Sequence, residues 1–180
     1  LLLSVGLIPE NELSVAAGVE LDPHTRGAVV DQSLQTGVPG IFACGNVLHV
    51  HDLADNVTTE SERAGAAAAA YALGNGANVE AGDAGTSCQP KVSPADIAGY
   101  ALPGRITAVT LTKLNFRVRR PVDAARVRVL AGDEELFAGK IRPFKPSLME
   151  SFPLPAKVIQ RALDLDVSEI VLSVDPVEEA

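Results

Sequence analysis

Hydrophobic positions follow two different patterns along this chain. Through the first seventy or so residues they come as short runs, each cut off by glycine, proline or an acid. Leu1–Val5 reads as a strand ending in Ser4-Val-Gly6. Val19–Leu21 and Ala28–Asp31 read as short strands around the turn Asp22-Pro-His-Thr-Arg-Gly27. Pro39-Gly40 sets another turn, and Ile41-Phe-Ala-Cys44 is the apolar run of a strand covered on both faces. Asn56–Leu73 has helical character. Thr59-x-x-Glu62 has the form of a capping box, Ala64-Gly-Ala-Ala-Ala-Ala-Ala70 follows, and Gly74-Asn-Gly76 stops it. A helix so lined with small residues can pack closely against a sheet or a bound group.

From Gly104 the pattern becomes that of strands. Ile106–Thr112, Asn115–Arg119, Ala125–Leu130, Glu135–Arg142 and Ile170–Val174 are separated by turn residues, and Arg126-Val-Arg-Val-Leu130 alternates as a strand with one wet face should. Pro155–Leu163 is either one short helix or an irregular turn. A linker rich in Gly, Ser, Pro and Asp precedes this part. The chain thus divides into residues 1–77, a linker over 78–103 and a carboxyl-terminal unit over 104–180. The expected class is α+β: a segment of short strands with one helix, then a small antiparallel β-sandwich.

Charge sharpens the division. Residues 1–103 hold three basic residues (Arg26, Arg63, Lys91) against twelve acidic ones, whereas residues 104–180 hold twelve against eleven. The overall net charge of −8 argues against nucleic acid or an anionic membrane as partner. No apolar run is long enough to span a bilayer. Cys44 and Cys88 form no Cys-x-x-Cys pair, so a zinc, cluster or dithiol site is not indicated and a reducing, cytoplasmic setting is expected. The opening Leu1-Leu-Leu-Ser-Val-Gly6 has neither a Met start nor the basic flank of a signal peptide. It is read as continuing from a longer protein.

The stretch Thr36-Gly-Val-Pro-Gly-Ile-Phe-Ala-Cys-Gly-Asn-Val47 carries the most specific signal. Gly45 lets backbone come close to a ligand, and Asn46 offers hydrogen bonds at a strand's carboxyl end, where open α/β sheets bind ligands. This segment resembles the second flavin-binding motif of the FAD/NAD(P)-dependent pyridine-nucleotide oxidoreductases, with Asn46 standing where those proteins normally carry Asp. Ser4-Val-Gly6 with Leu7-Ile-Pro9-Glu-Asn11 is similar to the segment returning from their NAD(P) domain to their FAD domain. The helix with Glu62-Arg63-Ala64-Gly65 is similar to their flavin-facing helix. Cys44-Gly-Asn-Val-Leu-His-Val-His-Asp-Leu53 resembles a subgroup related to anaerobic glycerol-3-phosphate dehydrogenase. Arg142-Pro-Phe-Lys-Pro-Ser-Leu-Met-Glu150 weakly resembles that subgroup's β-rich extension.

The resemblance implies the carboxyl-terminal part of an FAD-dependent oxidoreductase, exchanging hydride between flavin and NAD(P)H or an organic small-molecule substrate. It implies that Gly45, Asn46 and Val47 hold the ribityl chain. It also implies that backbone at Val57, Thr58 and Thr59, the expected helix start, faces the flavin edge. Relative to usual members the loop before this helix is longer, and His49, His51, Asp52 and Asp55 lie in it, beside the expected isoalloxazine ring. His49 or His51 is the candidate proton-handling group, with Asp52 able to orient a histidine. Both histidines could equally cap or fill a loop. His-x-His can also offer two imidazoles to a metal, but no third ligand of suitable spacing is evident and no metal is expected.

Gly74-Asn-Gly-Ala-Asn-Val79 follows a helix instead of opening one and is not a dinucleotide fingerprint. The motifs that hold the ADP half of FAD, and all of NAD(P), are therefore expected in other parts of a longer polypeptide, and this chain alone is expected to be inactive. Cys44 reads as a buried strand residue, and His24 as an exposed turn residue. Arg117, Arg119, Arg120, Arg126 and Arg128 read as a solvated strand face, with contact to the acidic first half or to a further subunit as the other reading. The rival function is a non-catalytic module whose β-domain mediates assembly.

Overall fold

The computed structural model describes residues 7–74 and 89–177. The expected strand Leu1–Val5, the Ser4-Val-Gly6 segment, Cys88 and residues 75–88 of the expected linker lie outside the described residues.

Residues 7–74 contain little regular structure before one long helix. Helix α1 spans Glu12–Ala16, a 3-10 turn spans Gly45–Val47, and α2 spans Ala54–Ala72. The short strands expected at Val19–Leu21 and Ala28–Asp31 shrink to single bridges, Leu21 with Ala28 and Val30 with Thr36. Ile41–Cys44 is likewise no doubly covered strand. It makes one bridge, Gln35 with Phe42, and only Ala43 of its four residues is buried.

Side chains hold this part together where ladders do not. The buried Asn11 donates from Nδ2 to the carbonyls of Arg26 (3.0 Å) and Val47 (2.9 Å). Asp22 accepts from the backbone of His24 and Thr25, and buried Asp31 from that of Ser33 and Gln35. Gly27 is required by close approach: a Cβ there would lie 1.7 Å from the Leu48 carbonyl oxygen.

Helix α2 begins two residues before the expected Asn56. The expected capping box lies inside it, because Thr58 and Thr59 turn their hydroxyls back onto the carbonyls of Ala54 and Asp55. Leu53 occupies the N-cap position and provides no side-chain cap.

The carboxyl-terminal part is built from β1 (Lys91–Asp96), β2 (Ala98–Leu102), β3 (Thr112–Val118), β4 (Val122–Ala131), β5 (Glu134–Ala138), β6 (Arg142–Phe144), β7 (Glu150–Leu154), α3 (Ala156–Asp164) and β8 (Glu169–Pro176). One sheet runs β1-β8-β4-β5, with β6 also on β4; the other is β2-β3-β7. All pairs are antiparallel except β1 with β8, which are parallel from Lys91–Glu169 to Asp96–Val174. The α+β class holds, but the expected purely antiparallel sandwich becomes a mixed sheet and an antiparallel one, with α3 closing the core.

Residues 91–102, expected in the linker, form β1 and β2. Pro94 is tolerated because β1 is an edge strand paired only with β8. The expected strand at Ile106–Thr112 is irregular until Thr112, and Glu135–Arg142 divides between β5 and β6. Pro155–Leu163 resolves as helix α3. The alternation expected for Arg126–Leu130 is present, with Val127 and Val129 buried.

The main core lies among the two sheets and α3 and includes Phe116, Phe144, Leu154, Ile159 and Leu172. A smaller core under residues 19–64 contains Val30, Leu34, Leu48 and Ala64, and is completed by Tyr100 and Leu102 from β2. The β-domain thus supplies apolar cover that the first part lacks, and this brings Tyr100 to the candidate site.

Candidate functional site

The site is assembled from the Gly45–His51 segment, the second turn of α2, and single residues of β2 and β3. Gly45 sits at φ +71°, and a Cβ on it would lie 3.4 Å from Val57 Cγ1, so the turn lies directly against α2. Its N–H donates to Glu60 Oε2 at 2.6 Å. Asn46 and Val47 face outward, and Asn46 Oδ1 accepts the His51 backbone N–H at 3.1 Å.

The two histidines point inward instead of lining an open loop. His49 Nε2 lies 2.9 Å from Glu60 Oε1, and His51 Nε2 lies 3.1 Å from Glu60 Oε2. The rings are 4.3 Å apart, and the side chains are 1% and 2% exposed. Each Nε2–H donates to one carboxylate oxygen. His49 Nδ1 lies 3.1 Å from Tyr100 Oη, with the donor of that bond set by the state of the ring. His51 Nδ1 is buried without a hydrogen-bond partner among the described residues.

The electrostatics agree with this assignment. Burial lowers the His51 pKa, and neighbouring His49 lowers it further. Burial alone would raise that of Glu60, but hydrogen bonds from His49, Gly45 and His51 outweigh it and hold the carboxyl below its ordinary value. Burial pushes the Tyr100 hydroxyl up to about 12. The centre is an ionised carboxylate between two imidazoles.

Asp52 does not orient a histidine. It accepts from Arg117 on β3 and from the Met149 backbone N–H at 2.6 Å, and Arg117 also donates to the Val50 carbonyl at 3.0 Å. Burial would raise the Asp52 pKa, but these donors bring it below the ordinary value. Arg117 therefore leaves the expected solvated face and takes the other reading, contact with the acidic first half. His24 is exposed in its turn as expected, whereas Cys44 is only half-buried. Asp55 lies exposed in the first turn of α2.

Val57, Thr58 and Thr59 lie beyond the helix start, where backbone N–H groups are committed to the helix. The uncommitted donors fall at Leu53–Asp55. Sequence reasoning missed Glu60 and Tyr100. Glu60 is one of the two buried positions on α2, with Ala64 one turn later, so an acid in an otherwise small, apolar stripe was the available signal. No local signal pointed to Tyr100, which is remote in sequence.

A cavity of about 300 Å³ opens beside the network. His49, Tyr100, Arg26 and Arg117 line its polar side, and Leu7, Ile8 and Pro9 its apolar side. The left-handed Gly45 turn leaves Asn46 and Val47 exposed close to the uncapped start of α2.

Residues 1–72 match the family model described as pyridine nucleotide-disulphide oxidoreductase. The matched stretch carries the Gly45 turn and α2. No curated protein and no solved structure matches. Among the described residues, no helix is long and apolar enough to cross a membrane.

Proposed function

We propose that residues 1–73 form the carboxyl-terminal part of an FAD domain in an oxidoreductase, working with nucleotide-binding motifs elsewhere in a longer polypeptide. The observation that carries this reading is the Gly45–Asn46 turn packed on the start of α2, within the matched stretch. Gly45, Asn46 and Val47 hold the ribityl chain. The uncapped N–H groups at Leu53–Asp55, rather than those of Val57–Thr59, face the anionic edge of the flavin. When bound, FAD supplies hydride exchange with NAD(P)H or a small organic substrate.

This chain's residues contribute position and proton handling. Glu60 fixes the Gly45 N–H, so the turn keeps its shape whether or not a ligand is present. His49 borders the cavity, with Tyr100 and Glu60 on its two nitrogens, and is the imidazole placed to exchange a proton with a substrate there. The exposed apolar residues Leu7, Ile8, Leu13 and Val15 offer a surface for the remainder of such a domain.

Titration with FAD tests this reading. A polypeptide joining this chain to an upstream strand–Gly-x-Gly-x-x-Gly–helix unit should show a flavin absorbance band after desalting, and the 180-residue chain alone should not. A colourless longer polypeptide would overturn it. In the coloured protein, His49→Gln should slow substrate reduction of the flavin at least tenfold and shift its pH profile. An unchanged rate and profile would remove His49 from proton handling.

A further inference from the structure

We propose that His49, His51 and Glu60 bind one divalent first-row transition-metal ion. The proposal does not depend on the flavin reading. Its basis is the convergence of two imidazoles and one carboxylate at one largely buried point. Both imidazoles present the same atom, Nε2, to the same carboxylate, one to each oxygen, at 2.9 and 3.1 Å. The ligand atoms of the three residues all lie within 4.8 Å of one another. An ion about 2.1 Å from nitrogen and oxygen ligands separates neighbouring donors by about 3.0–3.4 Å. The two imidazole–carboxylate separations are close to this, and the whole set, spread over no more than 4.8 Å, must draw together to seat an ion.

The surroundings are those of a metal site with outer support. Binding displaces any proton from His49 Nε2 and leaves the ring N–H at Nδ1, where Tyr100 Oη, 3.1 Å away, can accept it. The Gly45 N–H continues to hold Glu60 Oε2. Among the described residues His51 Nδ1 has no hydrogen-bond partner, so no bond at that atom holds the ring in its metal-free state. Arg117, the nearby cation, is paired with Asp52, which limits its repulsion of an ion. Two imidazoles and one carboxylate favour zinc, cobalt, nickel or iron(II) over magnesium or calcium, which prefer all-oxygen shells. Three protein residues leave room for a water or small ligand, and His49 borders the cavity through which one could enter.

Equilibrium dialysis of the chelator-stripped 180-residue chain against Zn²⁺ and Co²⁺ tests the assignment, with metal read by mass spectrometry and Co²⁺ by its visible bands. One equivalent at micromolar or lower free metal is expected. Glu60→Gln and His51→Gln should each weaken binding at least 100-fold with the circular dichroism unchanged. Tyr100→Phe, which keeps the ring in the small core, should weaken it about tenfold. Uptake below a tenth of an equivalent at 100 µM free Zn²⁺ by a folded chain overturns the proposal. So does full uptake that both Gln variants retain, since the metal is then bound elsewhere. If a Gln variant unfolds, the Tyr100→Phe result decides: unchanged affinity counts against the site.

Discussion

The two parts of this molecule reach order by opposite means. Residues 7–74 bury polar side chains such as Asn11, Asp31, Gln35, His49 and Glu60, and hold their loops by side-chain bonds to backbone. Residues 89–177 bury mostly apolar side chains under continuous ladders, with β4 and β8 paired over seven positions. Candidate chemistry lies almost wholly in the first part; the apolar core lies almost wholly in the second. A polar, loop-built site has little hydrophobic stabilisation of its own. It borrows Tyr100 and Leu102 from β2 and a guanidinium from β3.

The sharpest way to break this contrast is Gly27→Ala. Its methyl would meet the Leu48 carbonyl at 1.7 Å, between two segments that Asn11 ties together. Nothing there is a flexible side-chain end that could move aside, so the backbone carrying His49 must shift. The expected loss is about 3 kcal/mol in urea unfolding. Amide exchange should show lost protection through residues 19–60 while β4 and β8 keep theirs. Equal loss in both parts would mean that they unfold as one unit.

A smaller effect is expected where the parts are strapped together. Arg117 is 18% and Asp52 27% exposed, so their pair is partly screened. Arg117→Ala also removes donors to the Val50 and Pro146 carbonyls. It should cost about 1 kcal/mol at low salt and less at high salt. No change at any ionic strength would show that the Tyr100 and Leu102 contacts, with the Thr107 bonds to Asp31 and Gln32, suffice for docking.

The contrast also explains what could be read from the chain. Alternation located β4, which has one buried face, whereas apolar runs bounded by turn residues located β8 and most of β3. The body of α2 was legible from its alanines. Its start was not, because Thr59-x-x-Glu62 imitates a cap while the true N-cap, Leu53, has no capping side chain. Strand β1 was hidden by Pro94 and by its parallel partner β8, which lies across most of the domain in sequence. In the site, His49 and His51 were singled out, but as loop residues. Their burial depends on Glu60 and Tyr100, whose positions are set by tertiary packing. Asp52 carried the right charge for a role beside a histidine and serves instead as the anchor for β3.

The smallest expected effect is an acid counterpart to the Asp52 strap, placed inside the β-domain. Asp175 on β8 accepts from Arg128 Nη1 at 3.0 Å and from the Ser173 hydroxyl. Burial would raise its pKa, but the Ser173 and Arg128 hydrogen bonds outweigh burial and lower it. A carboxyl with a lowered native pKa binds fewer protons folded than unfolded across the interval between the two values. Its contribution is therefore present above the unfolded value of about 3.9 and lost as pH falls through the native one. Asp175→Asn should remove this dependence, flattening the acid limb of the stability curve below about pH 4. The cost near neutrality should be about 0.5 kcal/mol, because the pair is partly solvated. Urea midpoints measured from pH 2 to 7 read both quantities. If the Asn variant keeps the wild-type acid slope, the Arg128–Asp175 pair adds nothing to β4–β8 pairing beyond the ladder and the Val127, Val129, Leu172 and Val174 contacts. The β-domain would then be even more purely apolar in its stability than the contrast requires.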